Sequence, residues 1–363
     1  MRSRHVATPR LLPLVLVALF ASQPAAAAAA VPVPAIAPVT TPAAPAVEPA
    51  PAIPPHQRSG AEIYAAFREG LSDPECPAGT ASRRWSKHFS AAPGRLAEKD
   101  ETLALFGYVV DALRESHLPT EYALIPFVES GYKPDARSRL GPTGLWQFIA
   151  MTARNHKVPI RDGFDGRLSP VESTRAAVRY LKTLHGMFAG DWRLASMAYN
   201  EGEYRILGAL RRSGQVARSA DHDALPGLSG ITRAYPRKMH AIACLLLQAD
   251  DDPAWLAALD RPVSRLVAVP LPQDARTLDR WARDQGLDPA RVRRLNPAFR
   301  QGRVVRRGSE PMQVLAPATP AVEAVESVTV VAATSVPAAA TSVPADEAVS
   351  PPGESPPAHT LPR

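Results

Sequence analysis

Through the middle of the chain, apolar positions recur at helical spacing. In 102–116, Leu103, Phe106, Val110 and Leu113 fall three or four residues apart, with Leu118 just beyond, which predicts a helix with one buried face. A shorter amphipathic pattern covers 62–69. Pro119-Thr120 then breaks the chain, and Thr120 is a capping residue for a second helix that runs through the uncharged stretch 123–128 into Glu129, with Gly131 able to end it. Pro126 falls inside that predicted helix, where its missing N–H predicts a kink. Ser169-Pro170 pairs a cap with a first-turn proline ahead of a long helix over 171–188, whose buried stripe is Ala176, Ala177, Tyr180, Leu181 and Leu184. The residues 190–192 (GDW) separate it from a helix carrying Leu194, Met197, Ala198 and Tyr199, and a last helix spans 232–248. No strand-rich pattern interrupts this region, so the expected fold class is mainly α.

The ends read differently. Residues 1–30 combine Arg2, Arg4 and Arg10, an apolar core over 11–21 and an alanine-rich stretch, the layout of an export signal; the apolar run is too short, and holds Pro13, for a membrane span. No cysteine follows it, so the expected product is exported, soluble, periplasmic and not lipid-anchored. Residues 31–56 form an Ala/Pro-rich linker, and 317–363 a Pro/Ala/Ser-rich tail that predicts no fixed structure. Between them lie a main domain, 57–260, and a small module, 261–316. That interval is long enough for one sizeable core and a satellite.

Charge sets the module apart. Residues 57–260 hold 26 basic and 24 acidic residues, whereas 261–316 hold 12 basic against 5 acidic. Such a surplus suits an anionic polymer or surface, or is simply a solvated face. Export takes the chain away from nucleic acid. The two cysteines, Cys76 and Cys244, allow one disulfide in an oxidising compartment; the alternative is that Cys244, inside an apolar run, is a buried thiol. Neither has the spacing of a metal site, and no cofactor is implied.

The candidate chemistry centres on Glu129. A carboxyl group reached through an apolar run is partly desolvated, and desolvation raises its pKa towards that of a general acid working near neutrality. Nine residues on comes Ser138, then GPTGLWQF, in which Gly141 and Gly144 bracket a turn beside Trp146 and Gln147. Trp146 either offers a flat face to a sugar ring or, like Phe148, is a core residue, as large aromatics usually are, and Gln147 offers donor and acceptor. Farther along are AYNEG, with Tyr199 and Asn200, and Tyr235 within ITRAYPRKMHAIACLL.

In this order, these four segments resemble the soluble lytic transglycosylase family of goose-type, lysozyme-like fold, in its branch with GLWQF and AYNxG motifs. The resemblance covers about 103–247. It implies peptidoglycan glycan strands as substrate and cleavage of the β-1,4 bond after N-acetylmuramic acid. One glutamate serves first as acid and then as base, taking the proton of the sugar's own C6 hydroxyl to close a 1,6-anhydro ring. That glutamate maps to Glu129. Ser138 matches the serine that faces the acetamido group, and Gln147 a residue lining the same subsite. Tyr199 and Asn200 match the pair that holds substrate and orients the acid, and Tyr235 the tyrosine hydrogen-bonded to it.

Glu201 stands where the family usually has alanine, and Pro142, Thr143 and the order Pro236-Arg237-Lys238 after Tyr235 also depart from its pattern. The carboxylate of Glu201 either acts on Glu129 or the substrate's peptide, or faces solvent at its helix end. Two rival functions remain: a goose-type lysozyme in which Asp135 or Glu201 places water, and a wall-binding scaffold without activity. The module is loosely similar to a LysM-type glycan-binding unit through Thr277-Leu278, Ala282, Gly286-Leu287 and Leu295-Asn296, with an outer strand, two short helices and a closing strand expected. Protein partners are not readable.

Overall fold

Glu129 owes its position to an unusual local arrangement in the computed structural model, which describes residues 56–322 apart from 78, 80, 309, 310 and 321. The expected export segment, linker and tail fall almost wholly outside them. The helices are α1 (Gly60–Glu69), α2 (Arg83–His88), α3 (Ala92–Glu98), α4 (Asp100–Glu115), α5 (Ile125–Glu129), α6 (Ala150–Asn155), α7 (Pro170–Met187), α8 (Trp192–Glu201), α9 (Glu203–Ser213), α10 (Gly230–Ala249), α11 (Pro253–Leu259), α12 (Leu278–Asp284) and α13 (Pro289–Leu295). Short antiparallel pairs join β1 (Gln57–Ser59) to β4 (Pro262–Ser264), β2 (Ile160–Arg161) to β3 (Phe164–Asp165), and β5 (Leu266–Pro270) to β6 (Gln313–Pro317). The described part is mainly helical.

The periodic segments fold as their patterns require. Leu103, Phe106, Val110 and Leu113 on α4 are all fully buried. Ser169 caps α7 by accepting the Glu172 N–H, with Pro170 in the first turn, where a proline costs no hydrogen bond. Asp191 caps α8 through the N–H groups of Arg193 and Leu194.

The segment before Glu129 differs from expectation. There is no single helix capped by Thr120: a 3-10 turn over Thr120–Leu124 runs into the short α5. Thr120 instead donates its hydroxyl to Phe67 O and its N–H to Gly70 O, fastening the turn to α1. Pro126 therefore sits in the first turn of α5, and the expected kink is not needed. The result is a tight, buried entry to Glu129, with residues 120–127 all buried.

A disulfide joins Cys76 to Cys244 on α10, their Cα atoms 5.5 Å apart and 168 residues distant in sequence. With the sulfurs bonded to each other, neither has a thiolate to offer a metal. Closing so long a loop restricts the unfolded chain strongly; the Cys76→Ala/Cys244→Ala variant is expected to lose about 2–5 kcal/mol of stability by urea titration.

Residues 266–317 run strand, helix, helix, strand, around a second small core of Val269, Leu278, Trp281, Val292 and Val314. Phe164, from the β2–β3 hairpin of the main body, enters this core edge-on to Phe299 at 5.0 Å. The module is thus packed onto the helical body rather than tethered to it.

Candidate active site

The carboxyl group of Glu129 closes α5 and meets α10, the helix that carries Tyr235. Tyr235 donates its hydroxyl to Glu129 Oε1 at 2.6 Å. The other oxygen, Oε2, is buried without a hydrogen-bond partner among the described residues. Burial pushes the pKa of Glu129 up to about 7, against the smaller opposing pulls of the Tyr235 hydrogen bond and the Lys238 charge. About half of these carboxyl groups therefore keep their proton at neutrality, with one oxygen anchored and the other without a partner among the described residues.

Behind this pair is a layer of phenols. Tyr235 is 1% exposed, and its pKa is driven well up by burial and then by Glu129. Tyr199, fully buried on α8, donates to the carbonyl of Trp146 at 2.7 Å and packs against Tyr180 at 5.8 Å. These groups remain neutral hydroxyls whose hydrogen bonds fix the wall in place.

Two sequence assignments need correction here. Trp146 is wholly buried, and its indole N–H donates to Thr174 on α7 at 2.9 Å. A ring with no exposed face has nothing to offer a sugar; it pins the GLWQF loop to α7. Tyr199 is equally enclosed and supports that loop from below, so it does not touch substrate in this conformation.

Gln147 is buried at φ 49°, and its amide N–H groups go to Gly144 O at 2.7 Å and Ala136 O at 3.3 Å. It keeps its Oε1 as an acceptor, half of what the sequence suggested. Ser138 is half-buried and accepts the Leu140 N–H at 3.3 Å, while its own N–H donates to Pro142 O. Asn200 accepts from Thr232 at 3.0 Å, tying the end of α8 to the start of α10. None of these three is hydrogen-bonded to Glu129. Only Tyr235 is.

Glu201 follows neither expected course. It is 9% exposed, accepts the N–H of Ser229 at the N-cap of α10, and pairs with Arg205 at 3.5 Å.

Sequence reasoning named Lys238 only within the departure after Tyr235 and gave it no role. It lies one helical turn beyond Tyr235, is half-buried, and rests over the Trp85 ring of α2 at 4.9 Å. Burial lowers its pKa, partly offset by Glu129. The Tyr–x–x–Lys spacing on one helix face was the available signal. For Trp85, more than 40 residues before Glu129 in an otherwise basic stretch, there was none.

Residues 110–221 match the family model described as Transglycosylase SLT domain. Over that stretch the chain is similar to transglycosylase SLT domains. Glu129, Ser138, Gln147, Tyr199 and Asn200 all fall within the matched SLT residues, whereas Tyr235 lies beyond them. The chain is 35% identical over 139 residues to the membrane-bound lytic murein transglycosylase D of Escherichia coli K12, a match taking in 38% of this chain and 30% of that protein. It is 40% identical over 83 residues to the peptidoglycan transglycosylase gp16 of Escherichia phage T7, or 23% of this chain and 6% of the relative. The match thus spans less than a third of either relative's length. Lytic transglycosylase Slt of Pseudomonas aeruginosa, solved as an inactive mutant, is 24% identical over 41% of this chain and 24% of its own, with a TM-score of 0.32.

Proposed function

We propose that this chain is an exported, cofactor-free peptidoglycan lytic transglycosylase, cleaving the β-1,4 bond between N-acetylmuramic acid and N-acetylglucosamine with Glu129 as its single acid and base. One observation carries the reading: a carboxylic acid with a pKa near 7, one oxygen held by a buried phenol and the other unpartnered. The protein of Escherichia coli K12 that shares 35% identity bears the name of that activity.

The chemistry follows from those two oxygens. Oε2, protonated, gives its proton to the glycosidic oxygen as the C1–O bond breaks, and the 4-hydroxyl of the departing sugar is formed. The positive centre at C1 is shared with the substrate's acetamido group, and orienting that group is the role assigned to Ser138 and Gln147 Oε1. The carboxylate then removes the proton of the C6 hydroxyl while O6 bonds to C1. The acid is regenerated, and no water is consumed. Tyr235 steadies the carboxylate in the interval by its hydrogen bond.

A lysozyme working here would need a second carboxylate to direct water. Of the two candidates, Glu201 is committed to Ser229 and Arg205, while the exposed Asp135 is left as the carboxylate a hydrolytic route would use. Product mass analysis after digestion of purified sacculi tests this. Ends one water lighter than a reducing sugar are expected; reducing ends would establish hydrolysis, and no soluble product would leave a binding scaffold.

Glu129 must begin protonated. The rate is therefore expected to be high below pH 7 and to fall as pH rises through it. In Tyr235→Phe the hydrogen bond that favours the charged form is gone, so this limb should move to higher pH, with turnover lowered about tenfold or more. An unmoved limb would show that the phenol does not govern the carboxyl group.

The lysozyme-like fold, the LysM-like glycan-binding role of 261–316 and the periplasmic location belong to the same proposal. In support, a cleft of about 230 Å³ on the module is lined by Arg276, Thr277, Arg280 and Trp281. No helix among the described residues is long and apolar enough to cross a membrane.

A further inference from the structure

Beside Glu129 runs a groove that the proposed reaction leaves unused. One wall is the end of α2 and the start of α3, with His88, Phe89 and Arg95; the other is the chain on either side of Glu129, with Phe127, Gly131 and Lys133. Its volume is about 260 Å³, near the lower end of ligand clefts, roughly 300–1,000 Å³. Phe127 is almost fully buried and Phe89 half-buried, so the floor is apolar, while Arg95 and Lys133 stand exposed at the rim.

The charge is one-sided. No acid lines the groove. The stretch 81–97 contributes Arg83, Arg84, Lys87 and Arg95 without a single Asp or Glu. Elsewhere on the molecule arginines are commonly paired, as in Arg58–Asp111, Arg167–Asp165 and Arg293–Asp279. The side chains of Arg95 and Lys133 have no ion pair or hydrogen bond among the described residues. Their donors are unspent.

The backbone makes room for this. Gly131 sits at φ 62°, and a Cβ there would come within 2.8 Å of Arg95 Nη1. Glycine lets the guanidinium lie against the chain two residues past the catalytic carboxyl group. Cations over an apolar floor suit a ligand with carboxylates spaced by short aliphatic segments. A sugar chain alone does not supply that. The peptide stem carried by N-acetylmuramic acid does, and it would leave the sugar next to the bond that Glu129 cleaves.

We infer that this groove binds the anionic peptide stem of the substrate, with Arg95 and Lys133 as its carboxylate-binding residues. The inference rests on the proposed peptidoglycan substrate, and deepens it: recognition would then favour glycan that still bears peptides.

The test separates the two. Calorimetric titration uses a synthetic stem tetrapeptide with free carboxylates and the same peptide fully amidated, each with unsubstituted protein. The free acid is expected to bind at least about tenfold more tightly, the worth of one charge-assisted hydrogen bond. Arg95→Ala/Lys133→Ala, melting like the unsubstituted protein, should lose that margin. On intact sacculi its kcat/KM should fall about tenfold, with no change on glycan stripped of peptide by an amidase. Equal affinity for acid and amide, or equal loss on both glycans, overturns the inference. Inorganic phosphate competing as well as the free-acid peptide would also overturn it, marking a plain basic rim. Peptide binding without release of anhydro ends would sink the enzymatic reading alone; anhydro ends without peptide binding would sink only this one.

Discussion

Glu129→Gln is expected to lower turnover on sacculi by roughly 10³-fold or more, while binding of sacculi is unchanged. The amide fills the same space, and its oxygen can still accept from Tyr235. It can neither give a proton to the leaving oxygen nor recover one from the C6 hydroxyl, so both halves of the proposed reaction fail together. A stability change should accompany the loss. The folded-state pKa of Glu129 is near 7, above the 4.5 of a free glutamate. The unfolded chain therefore gives up this proton first as pH rises. The associated stability is fully present below about pH 4.5 and is lost as pH passes through 7, a penalty on the order of 3 kcal/mol for the ionised, buried carboxylate. Glutamine never pays it. The variant should melt higher than the unsubstituted protein at pH 8, and the gap should close by pH 4. A variant that is inactive but gains nothing at pH 8 would mean the carboxyl group is not desolvated, which removes the basis of the acid–base assignment.

How much of this was legible depended on whether a segment has two faces. α4 and α7 each bury one stripe and expose the other, so spacing and caps located them to within a residue or two. The run 120–127 has no exposed face at all, and its unbroken burial erases the period that would distinguish a 3-10 turn from a continuing helix. The same limit governs the aromatics. Motif position identified Trp146 and Tyr199 as important, but residue type does not say which way a ring points, and both proved to be props behind the loop. Glu129 and Tyr235, 106 residues apart, were paired only through the family resemblance; nothing in local pattern joins them. Lys238 was within reach, since its spacing from Tyr235 places both on one face of α10. Glu201 was not, because its partner Ser229 lies across a loop whose path the sequence does not state.

Gly144 is the position where a single methyl group should do most damage to the architecture. Its φ of 85° is already unfavourable for any L-residue, and an added Cβ would lie 1.8 Å from the carbonyl oxygen of Arg167 and 2.7 Å from its carbon. Those are backbone atoms of the turn that leads into α7, so no side chain can swing aside. The glycine's own groups are all engaged: its N–H reaches Ala136 O at 2.7 Å, and its carbonyl accepts from the Gln147 side chain at 2.7 Å. Relief of the clash must push the GLWQF loop off α7. That movement breaks the Trp146–Thr174 and Tyr199–Trp146 hydrogen bonds together and displaces Gln147. Gly144→Ala is therefore expected to cost about 4 kcal/mol or more, against the 0.5–3 kcal/mol common for point substitutions. In a domain of this size that amounts to roughly 10 °C in melting temperature. Gly141→Ala is the matched control. Its φ of 104° is as strained, yet nothing lies within 4 Å of the added carbon. Only the conformational strain of about 1–3 kcal/mol should be felt there. Should the two variants melt together, close approach to Arg167 is not what holds the loop. A wide separation, with Gly144→Ala losing activity even where it remains folded, would place the turn that presents Gln147 among the determinants of catalysis.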